Sequence, residues 1–225
     1  LISRLCLADV VGHGEKVAHV SSEIHDLLRR YMNYPDQRRV LSALNRRLLA
    51  QDLGVLTTAA VATYVHPMRH LSVSYAGHPP AWFYSESEDA WRRLELNPGA
   101  VRKKEFLDLP LAVEDHTRFS RRKLRIHNGD RLLLVTDGVI EAPREADMRQ
   151  LFGDQRLTDL LNQHRHAEVD QLGDTVVDAL RTHTRDDALA HDDVTLLMVE
   201  FVPGPSAGGL WLGLKNRLLG RRRRK

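Results

Sequence analysis

Between residues 55 and 96 the chain breaks into four short runs rich in β-branched and aromatic residues, at 55–65, 71–76, 81–84 and 91–96. Turn chemistry closes three of them: His66-Pro67 after the first, Gly77-His78-Pro79-Pro80 after the second and Asn97-Pro98-Gly99 after the last. Parallel strands need a crossover of about a dozen residues or more, and these connections are too short for one. The runs therefore read as an antiparallel meander. The helical patterns come in pairs rather than alternating with single strands. At 15–31, Val17, Val20, Ile24, Leu27, Leu28 and Tyr31 recur at helical spacing, and at 36–51 Val40, Leu41, Leu44, Leu48 and Leu49 do the same. A second pair reads at 156–164 and 169–183. Further strands read at 2–8, 119–126, 131–136 and 194–201. Paired helices beside runs of strands exclude a doubly wound parallel sheet. They predict a layered α+β domain of mainly antiparallel sheets with helices outside.

Charge narrows the class of function. The chain holds 33 basic and 30 acidic residues. Seven of the basic ones (Lys215, Arg217, Arg221, Arg222, Arg223, Arg224, Lys225) lie after residue 210 with no acidic residue among them, so residues 1–210 carry 26 basic against 30 acidic, a net of −4. The body is mildly acidic and only the tail is basic, which argues against a nucleic-acid-binding protein. The one cysteine, Cys6, sits in an apolar run without an internal partner, which reads as a small buried hydrophobe in a reducing, cytoplasmic compartment. No apolar run approaches the ~20 residues of a spanning helix. The chain starts at Leu1, inside an apolar run, and reads as a piece of something longer.

Three acidic positions share one local grammar. Asp9 ends the first apolar run and precedes Gly12 and Gly14. Asp137 ends Leu132-Leu133-Leu134-Val135-Thr136 and precedes Gly138. Asp192 and Asp193 stand immediately before the run that starts at Val194. Asp9 and Asp137 mark C-terminal strand ends and Asp192-Asp193 an N-terminal one, so neighbouring antiparallel strands would place all four on one rim. Crowded carboxylates repel unless a cation holds them. Oxygen ligands without a cysteine or paired-histidine set suit Mg²⁺ or Mn²⁺ rather than Zn²⁺. Any one position alone reads as a turn, since an Asp-Gly after a strand is most often one; taken together, on spacing alone, a metal site and a set of turns both stay open.

The segments DVVGHG (9–14), SYAGHPP (74–80), LLLVTDGVIEA (132–142), LFG (151–153) and DDVTLLMV (192–199) resemble, in order and spacing, the successive signatures of the PPM-type (protein phosphatase 2C-like) metal-dependent serine/threonine phosphatases. The branch they resemble is the bacterial SpoIIE-like one, over about residues 5–201. That resemblance implies a four-layer α-β-β-α sandwich and a phosphatase domain at 1–202. It also implies two divalent ions, Mn²⁺ or Mg²⁺, that activate a water for in-line attack on phosphorus without a phosphoenzyme. Carried over by motif, Asp9 bridges both ions, the Val10 backbone carbonyl binds one, and Asp137 and Asp192 bind the ion they share with Asp9. Asp193 is a spare ligand or a supporting neighbour. His13 is either the general acid for the leaving oxygen or a residue that shapes its loop. His78 reads as a turn residue, Thr57 and Thr58 carry no catalytic role, and His164, His166, His183 and His191 read as solvated. The chain departs from the family in two ways. The expected initial strand with a Gly-Gly-Asp-like motif is missing, which implies an N-terminally incomplete domain, and Val11 replaces a common serine.

The implied partners are a phosphorylated protein substrate, an anti-sigma-factor antagonist, and an upstream sensor domain or regulatory partner. The helices at 15–31 and 36–51 would form a switch, so that charge at Ile24 or Leu44 alters activity more than folding. The competing reading is a pseudophosphatase or regulatory binding module without turnover. Pro203 to Gly209 reads as a flexible linker. Beyond it, Trp211, Leu214 and Leu218 recur at helical spacing among basic residues in the segment 210–225. That segment reads either as a disordered basic tail or as an amphipathic helix in weak contact with the inner face of the membrane.

Overall fold

The computed structural model describes residues 2–12, 15–31, 34, 36–51, 55–96, 107–144 and 147–203. His13, Gly14, the Asn97-Pro98-Gly99 turn, the linker beyond Pro203 and the segment 210–225 lie outside the described residues. In chain order the elements are β1 (Ile2–Val10), α1 (Glu15–Arg30), α2 (Gln37–Gln51), β2 (Thr57–Val65), β3 (His70–Ala76), β4 (Trp82–Ser85), β5 (Ala90–Arg93), β6 (Arg122–Arg125), β7 (Arg131–Val135), α3 (Asp137–Ile140), β8 (Pro143–Arg144), β9 (Asp147–Leu151), α4 (Gly153–Gln163), α5 (Val169–Thr184) and β10 (Leu196–Glu200), with a 3₁₀ turn at His66–Met68. The fold class is α+β, with antiparallel sheets and flanking helices, as the sequence predicts.

The described residues form two compact units. Among the described residues, one comprises those within 2–80 and 95–126, the other those within 81–94 and 127–203. This divides the expected meander. β2 and β3 pair in a sheet of order β1-β2-β3-β6, whereas β4 and β5 belong to a second sheet, β10-β7-β4-β5. The break falls at Gly77-His78-Pro79-Pro80. Two prolines have no N–H to continue a ladder, and Gly77 adopts φ +62° with Pro110 packed where a Cβ would stand.

In the first unit α2 lies against β2 and β3, and α1 lies against α2 and β1. The stripes that make both helices amphipathic are the ones buried: Val20, Ile24 and Leu27 from α1, and Val40, Leu41, Leu44 and Leu48 from α2, against Ala59, Val61 and Ala76 of the sheet. Asp36 caps α2, its Oδ1 accepting the Arg38 N–H at 3.1 Å. Cys6 packs against this core, and burial pushes its thiol up to about 12, which keeps it protonated and unreactive. Asn45 is buried on α2 and satisfies a loop rather than the helix. Its Nδ2 donates to the Glu114 carbonyl at 2.8 Å, and its Oδ1 accepts the Ala112 N–H at 2.9 Å.

In the second unit Trp82, Tyr84, Trp91, Leu133 and Val135 from the sheet meet Leu157 and Leu161 of α4 and Leu172, Val176 and Leu180 of α5. The helical residues recur every four positions, so each helix offers one apolar ridge. The free edge of β5 is closed by a side chain. Asn162 of α4 accepts the Trp91 N–H at 2.9 Å and donates to the Trp91 carbonyl at 3.0 Å, taking the place of one residue of a neighbouring strand. Among the described residues no helix is long and apolar enough to cross a membrane.

The burial corrects the expectation for α1 and α2. Ile24 is 4% exposed and Leu44 0%, so a charge at either would be desolvated without a partner and would act on folding first. Leu44→Asp is expected to lose at least about 4 kcal/mol of stability, measured by urea unfolding. A second outcome concerns pH. Hydrogen bonds from the Arg38 side chain hold the Asp36 carboxyl below its ordinary value, with smaller help from Arg121. A carboxyl depressed in the folded state contributes stability that is present above about pH 4 and lost as pH falls through the folded value. Asp36→Asn should flatten the fall of melting temperature with acidity below about pH 4.

Candidate metal centre

Strand β7 is a continuous apolar run, Leu132 to Val135, and all four residues are buried. It pairs antiparallel with β10, Val135 opposite Leu196. The ladder runs one residue further at this end, because the Thr136 N–H donates to the Thr195 carbonyl at 3.1 Å. The residue after the end of one strand and the residues before the start of the other therefore share a rim. Asp137, Asp192 and Asp193 stand on it.

Two further contacts tie these turns together. The buried hydroxyl of Thr136 donates to the Asp193 carbonyl and accepts the Thr195 N–H, both at 2.9 Å. Gly138, in the single-turn helix α3, lies so close that an added Cβ would stand 2.6 Å from the Asp193 carbonyl oxygen and 3.2 Å from Asp192 Cβ. Glycine at 138 answers to this close approach rather than to a turn.

The rim carries three carboxylates, and among the described residues none of them forms an ion pair. Asp192 Oδ1 accepts the Asp193 N–H at 2.7 Å. Asp137 Oδ1 is buried and has no hydrogen-bond partner. An orphaned buried carboxylate oxygen is costly to leave unmatched, and a hard divalent cation is the group that satisfies it. The donor set fits such an ion. Among the described residues, however, no group of three or more His, Cys, Asp or Glu side chains is already assembled for metal.

Asp9 and Val10 belong to the first unit. They end β1, opposite Thr58 and Thr57 of β2, and the Val11 N–H continues the pairing to the Leu56 carbonyl at 2.9 Å. Gly12 follows with φ +116°, a conformation reserved for glycine. The common rim expected within one sheet is realised for Asp137, Asp192 and Asp193, while β1 belongs to the other sheet. His13 lies outside the described residues, and Val11 is exposed. His78 is buried, with Nδ1 2.9 Å from the Pro79 carbonyl, in keeping with a turn residue.

The histidines need correction. His166 is exposed as expected, but His164, His183 and His191 are half-buried. His183 packs on the Phe152 ring, with Nε2 3.1 Å from the Gln150 carbonyl. His191 Nε2 lies 2.8 Å from the Gly138 carbonyl. Thr136 and His191 are the two neighbours of the site that the sequence reading passed over. A β-branched hydroxyl ending a buried strand was a readable signal for Thr136, whereas nothing in the spacing marks His191.

A family model described as Stage II sporulation protein E (SpoIIE) matches residues 3–202. The chain belongs to the SpoIIE family. It is 25% identical over 199 residues to the phosphoserine phosphatase RsbU of Bacillus subtilis, covering 87% of this chain and 54% of that protein. The chain thus spans about half the length of the curated relatives it matches. Among solved structures, the RsbU and RsbW domains of a Mycobacterium tuberculosis protein align with a TM-score of 0.70 at 27% identity, over 91% of this chain and 53% of that one. The catalytic domain of the serine/threonine phosphatase PstP, solved with two manganese ions, aligns with a TM-score of 0.60 at 18% identity, over 89% of this chain and 88% of that one. That second likeness is one of fold.

The tight packing at Gly138 yields a direct test. Gly138→Ala should force the Asp193 carbonyl away and cost about 1–3 kcal/mol, read by urea unfolding. A fully tolerated alanine would mean that the two turns are not in contact in solution.

Proposed function

We propose that this SpoIIE-family chain is a metal-dependent phosphoprotein phosphatase that hydrolyses phosphoserine and phosphothreonine in bacterial signalling, with residues 1–202 as the phosphatase domain. The observation that carries the reading is the buried, unpartnered Oδ1 of Asp137, set beside the Asp192 turn on a rim of uncompensated negative charge. Asp137 and Asp192 are the proposed ligands of one ion from the second unit. Asp193 stands behind them as a spare, its carbonyl held by Thr136. Asp9 and the Val10 carbonyl are the proposed ligands from the first unit. Two Mn²⁺ or Mg²⁺ ions would supply charge neutralisation on phosphoryl oxygens and a bound water of lowered pKa.

The protein's own part in this reading is to hold carboxylates in place before metal arrives. The β7–β10 ladder sets their spacing along the rim, and Thr136 and Gly138 fix the two turns against each other. His13 keeps its two roles, general acid or loop shaper. The proposed substrate is a phosphorylated anti-sigma-factor antagonist in the cytoplasm, with an upstream sensor or partner as the input. Both follow from family analogy. A binding module without turnover is not favoured, because the acidic positions are retained and the relative RsbU is a named phosphoserine phosphatase.

The test is Mn²⁺-dependent hydrolysis of p-nitrophenyl phosphate by the chain and by Asp137→Asn. The substitution keeps shape and removes the charge. It should lower kcat at least about 100-fold and leave the melting temperature in EDTA close to that of the parent. Equal activity in the two proteins would overturn the assignment of Asp137.

A further inference from the structure

We propose that His191 is a positioning residue that clamps the Asp137 turn to the Asp192–Asp193 turn, so that the carboxylates are apposed before metal arrives. This rests on the reading of Asp137 and Asp192 as metal ligands. The observation is a single bond with a specific geometry: His191 Nε2 lies 2.8 Å from the Gly138 carbonyl oxygen, 53 residues away in the chain. A carbonyl only accepts, so Nε2 carries the proton.

The acceptor is a group that would otherwise go unmet. Gly138 lies in a helix of one turn, Asp137–Ile140, and the last carbonyls of any helix lack intrahelical donors. His191 supplies one from the residue directly before Asp192. The clamp therefore joins the neighbour of one proposed ligand to the neighbour of the other.

The loop that carries His191 is braced at both ends. Upstream, the Asp186 carboxylate accepts the Ala188 and Ala190 N–H groups at 2.9 and 2.8 Å. Downstream, the Thr136 hydroxyl holds the Asp193 carbonyl and the Thr195 N–H. Between these anchors, the described hydrogen bonds that tie residues 191–192 to the Asp137 turn reduce to the one from His191. Without it, residues 191–192 lose their hydrogen bond to the Asp137 turn while both loop ends stay fixed, and Asp192 keeps only the local bond from the Asp193 N–H to its Oδ1. The expected effect is on metal binding more than on folding. The second ring nitrogen, Nδ1, is buried without a partner, so the ring is seated in the rim rather than solvated.

Glutamine places an amide N–H at about the reach of Nε2, whereas alanine removes the donor. The experiment titrates Mn²⁺ into the 225-residue chain, His191→Gln and His191→Ala by calorimetry. Melting in EDTA and the kcat and KM for p-nitrophenyl phosphate are measured alongside. His191→Ala should bind Mn²⁺ about tenfold or more weakly, with its melting temperature in EDTA within a few degrees of the parent. Its kcat should fall at saturating Mn²⁺ with KM little changed, and His191→Gln should recover most of the affinity. Parent-like Mn²⁺ affinity in His191→Ala would overturn the proposal while leaving the ligand assignment standing. So would equal loss of melting temperature in EDTA for both variants, which would mark His191 as a general stabiliser. No Mn²⁺ uptake by the parent chain would instead overturn the ligand assignment itself, and this proposal with it.

Discussion

The candidate centre depends on the antiparallel pairing of β7 with β10. Antiparallel neighbours place the end of one strand beside the start of the other, so residues 137 and 192–193, far apart in the chain, arrive on one rim. The register pairs Val135 with Leu196 and buries Leu132 to Val135 on both faces of the strand. Register in turn sets which residues meet beyond the ladder. Thr136 opposite Thr195, and Gly138 against the Asp193 carbonyl, are consequences of Val135 facing Leu196. Burial energy spread over a strand is converted into the placement of two or three carboxylates.

The rim is electrostatically unfinished. Three carboxylates stand together without an ion pair among the described residues, and one oxygen of Asp137 is buried with nothing to accept from. A fold carries such a cost where the group is kept for a ligand. The oxygens that join the two turns are by contrast paired. The Thr136 hydroxyl makes two bonds, and the Gly138 carbonyl takes one from His191. Asp137 Oδ1 is the acidic oxygen left over, which suits a cation site.

Much of this was legible in residue order. Helical periodicity marked α1, α2, α4 and α5, and their apolar stripes are the buried ones. The Asp-Gly pair at 137–138 and the Asp-Asp pair at 192–193 were picked out by their positions at the ends of apolar runs. The meander was misread because a period-two pattern says that a segment pairs, not which sheet it joins. Only the proline-rich break at 77–80 hinted at the division. The short hairpin of β8 and β9 gave no periodic signal in two and five residues. No local pattern marks His164, His183 and His191 as half-buried, because a histidine's burial depends on groups far away in sequence.

The sequence by itself determined the longer helices and strands, the α+β class, the acidic positions and the family, because these follow from periodicity, turn chemistry and ordered motifs along the chain. Only the tertiary structure decided that β2–β3 and β4–β5 belong to different sheets, that Ile24 and Leu44 are core residues, and that His191 and Thr136 brace the acidic turns. The physical reason is the same in each case. Strand pairing, burial and hydrogen bonding between separate elements depend on how those elements pack, and no local pattern records that.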